Sequence, residues 1–160
     1  MTHKFWGTIK EDDWAEFTSD ITFSHPFFNE QNIEIFLGDE DGEEIEDFPT
    51  EQQLTEFAET YQMFIEDIES KLQSIQNKAF ERYLELYAHF YENPDKSGKP
   101  ALNIDSVEKH NDAIKDMTAL RVSGGKILRL SIRYLLDTEH GLEFKFVDNQ
   151  LVKMGGIAET

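Results

Sequence analysis

A carboxylate beside an imidazole can shuttle protons, and Glu139-His140-Gly141 sets that pair at a turn between two strand-like segments. Adjacent strand residues point to opposite faces, a constraint that a turn relaxes. The favoured reading is structural: Asp137, Glu139, His140 and Gly141 form a turn signature and carry out no reaction. A second candidate is the loop Gly38 to Asp47, with seven carboxylates in ten residues: Asp39, Glu40, Asp41, Glu43, Glu44, Glu46 and Asp47. Calcium takes six to eight oxygens, and the EF-hand frame needs a glycine at its sixth position. Aligning Gly42 there puts Leu37 first and Phe48 last, where carboxylates belong, so that frame fails. A solvated acidic turn is favoured over an irregular divalent site.

The histidines His3, His25, His89, His110 and His140 show no i,i+4 or paired spacing, so no metal-ligand set emerges. His89 and His110 read as surface or satisfied helix residues. There is no cysteine, which excludes a thiolate zinc site, a disulfide framework and a Cys nucleophile. No serine sits in Gly-x-Ser-x-Gly, and Gly124-Gly125 is too short for a phosphate-cradling loop. Arg121, Arg129 and Arg133 suggest a small basic stripe on one sheet face. It could hold an anion, but its expected role is to meet carboxylates of its own fold or water. No catalytic residue, metal or cofactor is assigned.

The elements that must position these groups follow from periodicity. Phe5 to Ile9, Ile21 with Phe23, and Ile33-Glu34-Ile35-Phe36-Leu37 alternate as short strands. After Pro49, Thr50 and Gln53 make a capping box. A 3.6-spaced apolar stripe then runs Leu54, Phe57, Ala58, Tyr61, Phe64, Ile65, Ile68, Leu72 and Ile75, and resumes at Phe80, Tyr83, Leu84, Tyr87, Phe90 and Tyr91. The polar stretch Gln73 to Lys78 predicts a break there, with two helices packed antiparallel, because one rod of about 40 residues is unusually long. A third helix is expected over 106–117. A β-meander over 118–155 follows, with a two-residue hairpin turn at Gly124-Gly125 and another turn at Asp148-Asn149. The expectation is a single α+β domain over 1–160, with strands within 5–37 and helices within 50–92 and 106–117. Its antiparallel sheet has the C-terminal meander as centre and two to three helices covering one face.

Charge is the most informative bulk property. The net charge is −18. Residues 1–70 hold twenty acidic side chains and only Lys4 and Lys10 as basic ones, whereas residues 71–160 balance. Such a field disfavours nucleic acid and anionic membrane, and attracts a basic protein. Solubility is the plainer use of it. No leader-like segment or membrane-length apolar run is read, so the expected compartment is the cytoplasm.

Leu136-Asp137-Thr138-Glu139-His140-Gly141-Leu142-Glu143-Phe144, then Asn149-Gln150-Leu151-Val152 and Gly155, with the opening Phe5-Trp6-Gly7, resembles a group of small uncharacterised bacterial proteins classed as domains of unknown function. Some members look like immunity proteins of bacterial toxin systems. The resemblance implies a protein that binds a cognate toxin and does no chemistry. The favoured function is therefore a non-catalytic binding protein, of the immunity-inhibitor type, for a basic protein partner. Its expected contact residues are Asp39, Glu40, Asp41, Glu43, Glu44, Glu46 and Asp47. The alternative is a small-ligand binder or enzyme whose site forms only in three dimensions.

Overall fold

Thr50 opens the long helical run as its capping box requires. Its hydroxyl accepts from the Gln53 N–H at 3.1 Å, and the Gln53 side chain accepts from the Thr50 N–H at 2.9 Å. In the computed structural model, which describes residues 1–39 and 47–160, α1 spans Glu51–Glu66 and α2 spans Ile68–Leu86. Asp67 alone separates them, with φ −123° and ψ 37°. The break therefore falls at Asp67, not at Gln73 to Lys78, and one residue is too few to reverse the chain. The two helices follow one another as a bent rod; they are not an antiparallel pair. Gln73 to Lys78 stays helical because its apolar stripe never stops: Leu72, Ile75, Ala79 and Tyr83 are all buried at three- and four-residue steps. Short helices continue the run, α3 at Ala88–Tyr91 and α4 at Pro94–Ser97.

The expected third helix is shorter than 106–117. Ser106 caps α5, Val107–His110, and a 3-10 turn at Asn111–Ala113 ends it. Met117 already belongs to a strand.

The strands are β1 Thr2–His3, β2 Gly7–Thr8, β3 Lys10–Glu11, β4 Phe17–Thr18, β5 Thr22–Phe23, β6 Ile33–Leu37, β7 Met117–Ser123, β8 Ile127–Ile132, β9 Leu142–Val147 and β10 Gln150–Gly155. β1 pairs with β2, and β3 with β4, as separate hairpins. The six others form one sheet in the order β10-β9-β8-β7-β6-β5. The meander thus fills one side of the sheet and is not its centre. All pairings are antiparallel except β6 with β7, which run parallel with Ile35 opposite Leu120. Ser123 pairs with Ile127, so the β7–β8 loop has three residues, Gly124, Gly125 and Lys126. Gly125 and Lys126 both adopt positive φ, 77° and 60°, as the two central residues of a type I′ turn do. The Asp148-Asn149 turn has two residues, as expected.

Alternation splits the sheet into two faces. Ile33, Ile35, Leu37, Leu120, Val122, Leu128, Leu130, Ile132, Leu142, Phe144 and Phe146 are buried on one. They share a core with Leu54, Phe57, Phe64 and Ile75 of the helices, and the Phe64 and Phe146 rings meet edge-on at 5.4 Å. Burying such a side chain contributes about 1.5–3 kcal/mol. The N-terminal hairpin is tied in by Trp6, fully buried, whose indole N–H donates to the Leu54 carbonyl at 2.9 Å. Among the described residues no helix packs on the other sheet face. Among the described residues no helix is long and apolar enough to cross a membrane.

Candidate functional site

Of the seven loop carboxylates, Asp39 and Asp47 are described, and both are exposed. Glu40, Asp41, Glu43, Glu44 and Glu46 lie outside the described residues. Asp39 and Asp47 line a shallow cleft of about 300 Å³ together with Ala15, Gly38, Gln53 and Glu56. Ala15 belongs to the β3–β4 hairpin, so this hairpin and the loop edges are neighbours. The hairpin tip is built by Asp12. Its N–H donates to the Glu16 carbonyl at 2.9 Å, and its carboxylate accepts from the Trp14 and Glu16 N–H groups at 2.8 and 2.9 Å. Ala15 turns the chain with φ 62°. Trp14 is held at the tip with 84% of its surface exposed, between Asp13 and Glu16. Among the described residues, Lys or Arg pairs with this half at Glu16, Asp20 and Asp67. The charge of the acidic half is largely unanswered from within.

The turn signature sits at the other end of the molecule's long helical run. The Asp137 carboxylate accepts from the Tyr87 hydroxyl at 2.6 Å, the His140 N–H at 3.2 Å, and the His140 ring Nδ1 at 2.9 Å. Partial burial alone would raise the Asp137 pKa; the Tyr87 and His140 hydrogen bonds outweigh it and hold the carboxyl below its ordinary value. The same carboxylate raises His140. Burial first, then the bond to Asp137, pushes Tyr87 up to about 12. Tyr91 donates to the Leu136 carbonyl at 2.6 Å and Tyr83 to Glu92 at 3.1 Å. The tyrosine hydroxyls therefore meet protein acceptors. Asp137 is the hub that fastens α2 and α3 to the β8–β9 connection. Gly141 closes the turn with φ +64°, and an added Cβ would lie 2.6 Å from Ile157 and 3.0 Å from the Ile132 carbonyl. Glu139 makes no side-chain bond among the described contacts and is placed beside the hub.

His110, read as a surface or satisfied helix residue, lies inside the protein: it is fully buried. Its Nε2 lies 2.6 Å from the Tyr134 hydroxyl, its Nδ1 has no partner, and the rings of Phe80, Tyr83 and Tyr134 enclose it. Desolvation lowers its pKa to about 4. His3 is also buried, with Nδ1 accepting from Phe5 N–H. Among the described residues no group of three His, Asp or Glu side chains is disposed to hold a metal ion.

Arg121, Arg129 and Arg133 lie on the helix-free sheet face and meet carboxylates of the fold. Arg121 Nη1 is 2.8 Å from Glu16, Arg129 Nε is 3.8 Å from Glu143, and Arg133 Nη1 is 3.9 Å from Asp116. The family model described as Domain of unknown function (DUF6985) matches residues 5–159. The chain belongs to that family. No curated protein and no solved structure matches it. The family match takes in the Trp14 hairpin, the Asp137 hub and the meander together.

Sequence reasoning missed three features. Trp14 was legible as a tryptophan among carboxylates in Glu11-Asp12-Asp13-Trp14-Ala15-Glu16. Asp137 as an acceptor for Tyr87 requires contact across fifty residues, and no local pattern carries that. His110 among aromatic rings had a partial signal in its place on the apolar side of its helix.

Proposed function

We propose that this family member is a non-catalytic binding protein that captures a basic protein partner with its acidic N-terminal half. The observation that carries the reading is Trp14, presented at a hairpin tip whose shape Asp12 organises, in a half whose described carboxylates mostly lack a Lys or Arg partner among the described residues. The two parts have separate tasks. The carboxylates steer a cationic surface into encounter and set the association rate. The indole supplies the anchor: its face attracts Arg or Lys, and its burial by the partner excludes water. An immunity-type inhibitor of a basic toxin is the finer form of this proposal, acting by occlusion; the one-sided charge and the resemblance support it.

Affinity capture from source-cell lysate at low and moderate salt tests the reading. Wild type, Trp14→Ala and a Glu11→Gln/Asp13→Asn variant are compared, and the captured protein is then purified for kinetics. The expected partner is basic. Trp14→Ala should weaken it by roughly 30-fold or more, a hot-spot loss of about 2 kcal/mol, mainly in dissociation rate. The charge variant should slow association at low salt. A partner bound equally well by Trp14→Ala removes the hairpin from the interface. Capture of no basic protein under any condition removes the function.

A further inference from the structure

Register across the sheet lines up four cations. On the helix-free face, Phe36 stands opposite Arg121, Arg121 opposite Arg129, Arg129 opposite Lys145, and Lys145 opposite Lys153. The Arg121 guanidinium also rests over the Phe36 ring, 5.1 Å from its centroid. With strands about 4.8 Å apart, the cationic row runs for roughly 14 Å. Like charges directly opposite one another on paired strands destabilise a sheet. Here three such pairs follow in succession.

The fold answers only half of the row. Glu16 pairs with Arg121 and Glu143 with Arg129. Lys145 and Lys153 have no ion-pair partner among the described residues. A cavity of about 480 Å³ opens beside the Arg121 and Arg129 half of the row, within the range of small-molecule sites, while Lys145 and Lys153 lie outside its lining. Its lining includes Arg121, Arg129, Ser131 and Thr118, together with Asp39 and Glu143. Glu143 is already occupied by the Ala158 N–H and by the Ser131 and Thr160 hydroxyls. A guanidinium has five N–H donors. Arg121 Nη1 serves Glu16 and the Gly38 carbonyl, and Arg129 Nη2 serves the Thr160 carbonyl, which leaves further donors on each for a ligand. At physiological salt, exposed charges are screened beyond about 8 Å, so the charges nearest the row, Glu16, Asp39 and Glu143 among them, weigh most on the local potential.

We propose that this row and cavity bind a compact oligoanion, a small molecule with two or more phosphate or carboxylate groups. One group sits on Arg121 and Arg129, whose planar forks suit either anion. The next reaches Lys145 and Lys153. The bound anion relieves the repulsion that the bare row carries. This site is separate from Trp14 and stands without the basic-partner reading.

Isothermal titration of the full chain with inorganic tripolyphosphate, and separately with citrate, at matched ionic strength tests it. Wild type, Lys145→Gln/Lys153→Gln and Trp14→Ala are compared. Saturable binding of at least one probe by wild type is expected, weakened tenfold or more in the lysine variant and unchanged in Trp14→Ala. Which probe is retained tells phosphate from carboxylate. Without ligand, the lysine variant should melt at the same temperature as wild type or higher, since neither lysine has an ion-pair partner among the described residues and their repulsion is gone. No saturable binding of either probe at millimolar concentration, or equal binding by the lysine variant, overturns the proposal.

Discussion

Acidification should destabilise the protein through His110. In the unfolded chain this imidazole titrates at about 6.5; buried against Phe80, Tyr83 and Tyr134, it titrates at about 4. Tyr134 and Tyr83 are the titratable groups that face it, and both remain neutral throughout the range concerned. The folded pKa is depressed, so the contribution is complete above pH 6.5, where neither state is protonated. Between 6.5 and 4 the unfolded chain takes up a proton that the fold refuses, and stability falls. At about 1.4 kcal/mol per pH unit, the gap amounts to roughly 3 kcal/mol once pH 4 is reached. That is a large share of a typical domain stability of about 5–15 kcal/mol. The control is His110→Gln, whose amide can still meet the Tyr134 hydroxyl but cannot be protonated. Urea denaturation of both proteins at pH 7.5, 6.0 and 5.0 isolates the effect, because the carboxylates titrate alike in each. Wild type should lose about 1–2 kcal/mol more than the variant between pH 7.5 and 5.0. Parallel stability curves for the two proteins would refute the reasoning.

Other substitutions test the rest of the construction by denaturant melts. Asp137→Ala should cost about 1–3 kcal/mol, since it strands the Tyr87 hydroxyl and a backbone N–H. His140→Ala, at an exposed position, should leave the midpoint nearly unchanged; equal losses in the two variants would refute the hub. Gly141→Ala should cost roughly 1–3 kcal/mol, because positive φ and the approach of Ile157 and the Ile132 carbonyl both resist a Cβ. Thr50→Ala should cost about 1 kcal/mol through loss of the helix cap. Trp14→Ala should change stability by less than about 0.5 kcal/mol, as expected of a side chain that is 84% exposed.

Features with a local cause were legible in the sequence. Thr50 and Gln53 announced the helix start, and Ile33-Glu34-Ile35-Phe36-Leu37 announced a half-buried strand. The α+β class follows from that order of elements. The helix break was misplaced because polar Gln73 to Lys78 drew the boundary, while the link that carries the stripe through it is Ala79, too small to register as apolar weight. Asp67, where the break lies, has no breaker chemistry. The parallel β6–β7 pairing was invisible because a strand's own pattern does not say which distant strand it joins. For the same reason three arginines were read as a stripe, whereas the row with Lys145 and Lys153 appears only when four strands are placed in register. The Asp137 turn was recognised as a signature without its reason, which is a tyrosine fifty residues away.

The parallel pairing also governs the order in which the sheet can assemble. Ile35 must find Leu120, eighty-five positions later, whereas the four meander strands each pair with a sequence neighbour. Loop closure over that distance is an entropic toll that local hairpins avoid, and contacts so remote slow folding. During synthesis the N-terminal strands emerge first and must wait, with their apolar residues and unpaired edges uncovered, until Met117–Ser123 has left the ribosome. Exposed strand edges invite association with other chains. The first 70 residues, with twenty carboxylates against two lysines, repel copies of themselves throughout that interval. The charge asymmetry is therefore expected to disperse the nascent chain, holding the waiting half apart from its copies until its sheet partner arrives.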